Sequence, residues 1–174
     1  MFSKHPAALN PDAFLADCRF TTTRRGGPGG QNRNKVETAV VVEHLPTSIR
    51  AEANEKRTQG ENRTAAFQRL RIAVAIQHRT VAPESLSEDS FHPTAIWARY
   101  INKGRILVSD SNPDFPAILA EFLDLLSWHQ DDLTAVAKLL SVSQSQLVKL
   151  LKLEPLALTL FNQRRKLRGE HPLR

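Results

Sequence analysis

A single cysteine, Cys18, in 174 residues leaves no partner for an internal disulfide, and it excludes four-cysteine and two-cysteine, two-histidine zinc sites. The six histidines stand singly, with no spacing that suggests a metal pair. No run approaches the roughly 20 apolar residues that span a bilayer. The first residues, MFSKHPAALNPDAFLADC, carry one lysine and no apolar stretch of signal-peptide length. These absences give the expectation of a cytoplasmic protein in a reducing setting, with no membrane association, no metal and no cofactor. The 41% of hydrophobic residues suffices for the core of one ordinary domain or two small ones.

What is plentiful is positive charge, and its distribution says more than the formal net charge of +6. Residues 19–36 carry Arg19, Arg24, Arg25, Arg33 and Lys35 and no acid. Residues 50–80 hold seven basic groups against three acids, and residues 162–174 five against one. Residues 83–132 reverse the sign, with nine acids and three bases. Clusters of this kind suit a polyanionic partner that meets the first, second and last of these segments.

The pattern along the chain predicts an α+β organisation. A short helix over about Pro11 to Asp17 leads to a strand in CRFTTTR, then a glycine loop, a strand in VETAVVVEHL, a turn at Pro46, Thr47 and Ser48, and a strand in SIRAEANEKR. From Asn62 to about His78, Ala66, Leu70 and Val74 recur at helical spacing, with arginines on the other face. The segment TVAPESLSEDS reads as a linker. GRILVSDS could be a strand, and Trp97 and Tyr100 read as packing residues. A helix follows over Phe115 to Trp128. Val136, Ala137, Leu140, Val142, Leu147 and Leu150 then fall where a helix-turn-helix needs its buried positions, with Ser141 where glycine is commonest. Its second helix offers Gln144, Ser145, Gln146, Lys149 and Lys152 as a polar face that could read bases or serve packing. The expected division is a sheet-and-helix domain over residues 1–82, an acidic linker over 83–113, and a helical module with a basic end over 114–174.

The loop TTTRRGGPGGQNRNK holds the chemistry. Its spacing fits neither a P-loop, which needs Gly-Lys-Ser/Thr, nor a dinucleotide fingerprint, which needs a glycine at position 32, nor a nucleophile elbow, which needs a serine between the glycines. Gly29 and Gly30 can bring the backbone close to a ligand and bare the next N–H. The Gln31 side chain donates and accepts hydrogen bonds but has no useful titration, so it can orient water or stabilise charge and cannot serve as a conventional base. A backbone N–H aimed at a developing oxyanion is worth roughly 3 to 4 kcal/mol in acyl-transfer sites. A loop that only binds RNA backbone has the same composition.

GGPGGQNRNK, followed by VETAVVVEHLPTSIRAEANEKRTQGENRTAAFQRLR, resembles the catalytic domain of class I peptide chain release factors and of the related stalled-ribosome rescue hydrolases. The resemblance covers residues 19–79. It implies hydrolysis of the ester that joins a nascent peptide to tRNA in the ribosomal P site, with Gly29, Gly30 and Gln31 as the catalytic triplet. By the same resemblance the Gln31 N–H would stabilise the tetrahedral intermediate and its side chain would help admit water. Arg24, Arg25, Arg33, Asn34, Lys35, Arg57 and Arg63 would face ribosomal RNA. Gln31 becomes a candidate for methylation on its side-chain amide, with a glutamine methyltransferase as partner.

Stop-codon-reading domains of such factors have no counterpart before residue 19, so the expected activity is codon-independent and the expected state monomeric. The basic end NQRRKLRGEHPLR, with Arg164, Arg165, Lys166 and Arg168, resembles the RNA-binding tail of the small rescue hydrolases. It reads equally as a helix end with Pro172 and Leu173 docked on the module. A non-catalytic RNA- or DNA-binding module that uses the helix-turn-helix is the alternative function.

Overall fold

The computed structural model describes residues 4–23 and 38–173, and the chain divides into two compact units, Leu9–His78 and Met1–Ala8 with Arg79–Arg174. In the first unit the helix α1 (Pro11–Ala16) is capped by Asn10, whose side chain accepts from the N–H of Ala13, and Pro11 occupies the first helical turn, where its missing donor costs nothing. It delivers Phe14, fully buried, to the core. Three antiparallel strands follow: β1 (Cys18–Thr23), β2 (Ala39–His44) and β3 (Ile49–Ala53), in the order β1-β2-β3.

Alternation decides which face of this sheet is dry. Val40, Val42 and His44 of β2 are buried and register with Ala53, Ala51 and Ile49 of β3. On the opposite face the same register aligns Arg19, Glu43 and Arg50 across all three strands. Glu43 accepts from Arg19 at 2.9 Å and from Arg50 at 3.1 Å, and these bonds hold its carboxyl below the ordinary range. Helix α2 (Gln59–Gln77) covers the apolar face with Ala66, Leu70 and Val74. It starts three residues before the helical periodicity does. Thr58 caps it, accepting from the N–H of Glu61 and donating to the Glu61 carboxylate, so polar residues begin the helix ahead of its first core contact.

The second unit is built around helix α4 (Phe115–Trp128), which is apolar nearly all round, as a helix at the centre of a bundle must be. Helix α3 (Ala95–Tyr100), helix α5 (Leu133–Leu139) and the 3-10 turn Pro6–Ala8 pack against it, and helix α6 (Gln144–Leu153) packs on α5. Trp97, fully buried, is a packing residue, as its position in the sequence suggests. Asp124, the buried acid of α4, accepts from the Arg79 guanidinium at 2.9 Å and from the N–H and hydroxyl of Thr80, which fixes the start of this unit. The segment 91–113, hard to read from sequence, holds α3 and a minimal hairpin of β4 (Ile101–Asn102) and β5 (Arg105–Ile106), turned at Lys103 and Gly104. Helix α7 (Pro155–Leu167) closes the unit.

Candidate functional site

The residues expected to carry chemistry, Gly29, Gly30 and Gln31, and the cations Arg24, Arg25, Arg33 and Lys35 with Asn34, lie outside the described residues. What is described is their mounting. Strand β1 ends at Thr23 and β2 begins at Ala39, and these two residues are partners in the antiparallel ladder. Both ends of the glycine segment are therefore held one strand spacing apart at the same end of the sheet.

Asn62, in the first turn of α2 and fully buried, fixes one of those ends further. Its side-chain amide donates to the Thr38 carbonyl at 2.7 Å and to the Lys56 carbonyl at 3.1 Å, while its oxygen accepts from the N–H of Lys56 at 2.9 Å. One side chain thus ties the root of the glycine segment to the turn that precedes α2. Arg57 is exposed on that turn, next to the clamped Lys56, and Arg63 follows Asn62 in α2. The Arg63 guanidinium lies over the Phe20 ring, 3.7 Å from its centroid, so an exposed cation is held by an aromatic face. Both arginines are thus exposed on or beside the turn that Asn62 ties to the root of the glycine segment. Sequence reasoning placed Asn62 only at a helix start. The Thr58–Glu61 capping pair was the signal that a helix begins earlier and that Asn62 lies inside it, facing inward.

The basic end is a docked helix. Asp131 receives Arg164 at 2.8 Å and Arg168 at 2.7 Å, and Glu170 receives Arg165 and Arg168, each at 2.8 Å. Burial pushes the Asp131 carboxyl up, but the bonds from Arg164 and Arg168 outweigh it and hold the group below its ordinary value. The amide of Asn162 accepts from the Leu173 N–H and donates to the Leu173 carbonyl, which fixes the chain end on α7. At this end Leu173 is docked on α7 while Pro172 is exposed, Arg164, Arg165 and Arg168 are ion-paired rather than solvated, and Lys166 remains exposed.

Helices α5 and α6 and the turn between them bury Val136, Ala137, Leu140, Leu147 and Leu150, with Val142 half-buried and Ser141 in the left-handed region at φ 53°. The polar face of α6 is partly spent within the protein. Gln144 donates to Thr134 at 2.8 Å, and Gln146 accepts from the Ile106 N–H of β5 at 3.2 Å. Ser145, Lys149 and Lys152 stay exposed.

The RF-1 domain family model matches residues 13–105, more than half of the chain. The chain belongs to the RF-1 domain family. It is similar to peptide chain release factor 1 of Streptococcus pneumoniae serotype 19F (strain G54), 44% identical over 76 residues, which is 44% of this chain and 21% of that protein. It is also similar to the chloroplastic peptide chain release factor PrfB1 of Arabidopsis thaliana, 38% identical over 88 residues, or 49% of this chain and 19% of that protein. The match thus spans about a fifth of the length of these relatives. The RF-1 domain match is wider than the resemblance over 19–79, since it takes in most of α1 and all of α3 and β4, and ends at the first residue of β5.

Proposed function

We propose that this chain is a codon-independent hydrolase of the peptidyl-tRNA ester, acting on stalled ribosomes, with Gly29, Gly30 and Gln31 at the reacting carbonyl. The observation that carries this reading is the position of the Gly-Gly-Gln triplet inside the matched RF-1 domain, on a segment whose two ends are paired as Thr23 and Ala39. Ester hydrolysis by such a tip needs a preorganised N–H for the oxyanion and a group that orients water, and the Gln31 backbone and side-chain amide supply both. Arg57 and Arg63, with the cations of the loop itself, would meet ribosomal RNA phosphates and position the tip without reading sequence. No separate base on the protein is invoked; the substrate's own ribose and the ribosome would complete the site.

The rival reading, recognition of nucleic acid by α6, rests on Gln144, Gln146 and Lys149, of which Lys149 is exposed and the two glutamines are bonded within the protein, to Thr134 and to the Ile106 N–H. The deciding experiment is release of a labelled peptide from ribosome complexes, some with a stop codon in the A site and some on truncated mRNA. Release on truncated complexes by the wild type, lost in Gln31→Ala, is the expected result. Release confined to stop codons overturns codon independence, and release that survives Gln31→Ala overturns the assignment of the triplet.

A further inference from the structure

The second unit contains a cleft of about 370 Å³ that the proposed hydrolysis does not use. Its walls are largely apolar, formed by Ala8, Leu86, Phe91, Ile96 and Ala117, and one acid, Glu121 of α4, is set among them. The Glu121 carboxylate accepts from the N–H and from the hydroxyl of Thr94, one bond on each oxygen. Each oxygen retains a lone pair, and no ion pair among the described residues neutralises the group. Burial pushes this carboxyl up, the direction expected of an acid surrounded by apolar walls without a cation. Asp124 also lines the cleft, but its oxygens are taken by Arg79 and Thr80.

Apolar walls with an acid among them match one ligand chemistry well: an aliphatic stem that ends in a cation. We propose that this cleft receives a lysine or arginine side chain from a basic segment of a partner protein, its methylenes against Phe91 and Ile96 and its charged head on Glu121. The surroundings favour a basic partner. Residues 83–132 carry nine acids against three bases, and Glu88 and Asp89 immediately precede the cleft residues Ser90 and Phe91. Three groups on the cleft oppose a cation: Lys4 and His92, both exposed, and His5, whose Nδ1 already accepts from the Ala7 N–H. The exposed pair is hydrated and screened more fully than the half-buried Glu121, so the acid dominates the field inside. Binding a cation also offsets the cost of keeping Glu121 ionised there, which makes the site selective for charge as well as shape.

The test titrates the full chain with acetyl-Gly-Leu-Lys-Leu-Gly-amide, with versions carrying norleucine or glutamate in place of the lysine, and with spermidine, following the methyl resonances of Ala8 and Ala117. The lysine peptide should bind about tenfold more tightly than the norleucine peptide, the advantage of a charge-assisted bond in a partly buried site. Glu121→Gln should erase that difference. Ala95→Trp, which fills the mouth from an exposed position on α3, should abolish binding by every peptide while leaving the thermal midpoint in place. Equal affinity for lysine and norleucine, or preference for the glutamate peptide, overturns the proposal. Tighter binding of spermidine than of the lysine peptide overturns the partner side chain as the occupant.

Discussion

Asn62 shows how much one buried side chain can fix at the root of the glycine segment. Its three hydrogen bonds join the root of the glycine segment at Thr38 to the turn that carries Arg57, and it is fully buried. Truncation leaves the part-buried Lys56 N–H and two carbonyls without this partner, so Asn62→Ala should cost about 1 to 3 kcal/mol. Urea denaturation measures that loss directly. Asn62→Asp keeps the acceptor for the Lys56 N–H but sets a carboxylate against two carbonyls, and should lose at least as much. If the clamp also positions the tip, peptide release by Asn62→Ala falls under conditions where the variant remains folded. Gln31→Ala should show the reverse pattern, with activity lost and the denaturation midpoint unchanged.

Among the elements, helices α5 and α6 and the turn between them were legible because their requirements are local. Small Ala137 at the helix contact and the apolar spacing around a tight turn left little freedom, and Ser141 adopts the left-handed conformation that a glycine would take there. That conformation strains a residue with a Cβ, so Ser141→Gly should stabilise by about 0.5 kcal/mol after the added freedom of the unfolded chain is deducted. Gly104, at φ 73°, lies in the same region, and Gly104→Ala should destabilise by about 1 kcal/mol; thermal melts of the two variants should move in opposite directions. Helix α4 was equally legible from its apolar run. The segment 91–113 was not, because its structure depends on partners distant in sequence: Thr94 on Glu121, Tyr100 on Asn112 and Asp114, and the Ile106 N–H on Gln146. Two-residue strands have no periodicity to detect. Strand β3 likewise stops at Ala53, earlier than the alternation in SIRAEANEKR suggested, because Asn62 draws the chain at Lys56 into the turn before α2.

At the scale of the whole molecule, the two units should respond to acid in different ranges. In the first, His44 is buried and stacked on Phe14 at 4.6 Å, with Nδ1 2.8 Å from the Thr47 hydroxyl. Burial is the main cause that lowers its pKa, and the unfolded chain therefore takes up the proton first. Stability of this unit should fall as pH drops below about 6.5, the ordinary histidine value, and His44→Phe should flatten that slope. In the second unit the depressed Asp131 contributes stability that persists above about pH 4 and is lost as pH falls through its folded value. The raised Glu121 works in the opposite sense, and supports this unit slightly as pH falls from neutral toward the ordinary glutamate range. Acid titration followed by resolved signals from His44 and from Trp97 should give two separate transitions, that of the first unit at higher pH. The distribution of charge in the sequence pointed to the arginines at the C-terminal end, yet its pairing was invisible there, since Asp131 and Arg168 meet only after α5, α6 and α7 have folded back.

The pairing of Thr23 with Ala39 has a consequence for how damage to this protein would present itself. Residues before and after the glycine segment are held by the β1–β2 ladder and by the core beneath it. The expectation is that a chain cut once between 24 and 37 yields two polypeptides that the ladder keeps together, eluting as one particle while the proposed chemistry is gone. Intactness of the fold and integrity of the chain are separate properties in this molecule, and only a denaturing gel or a release assay would tell them apart.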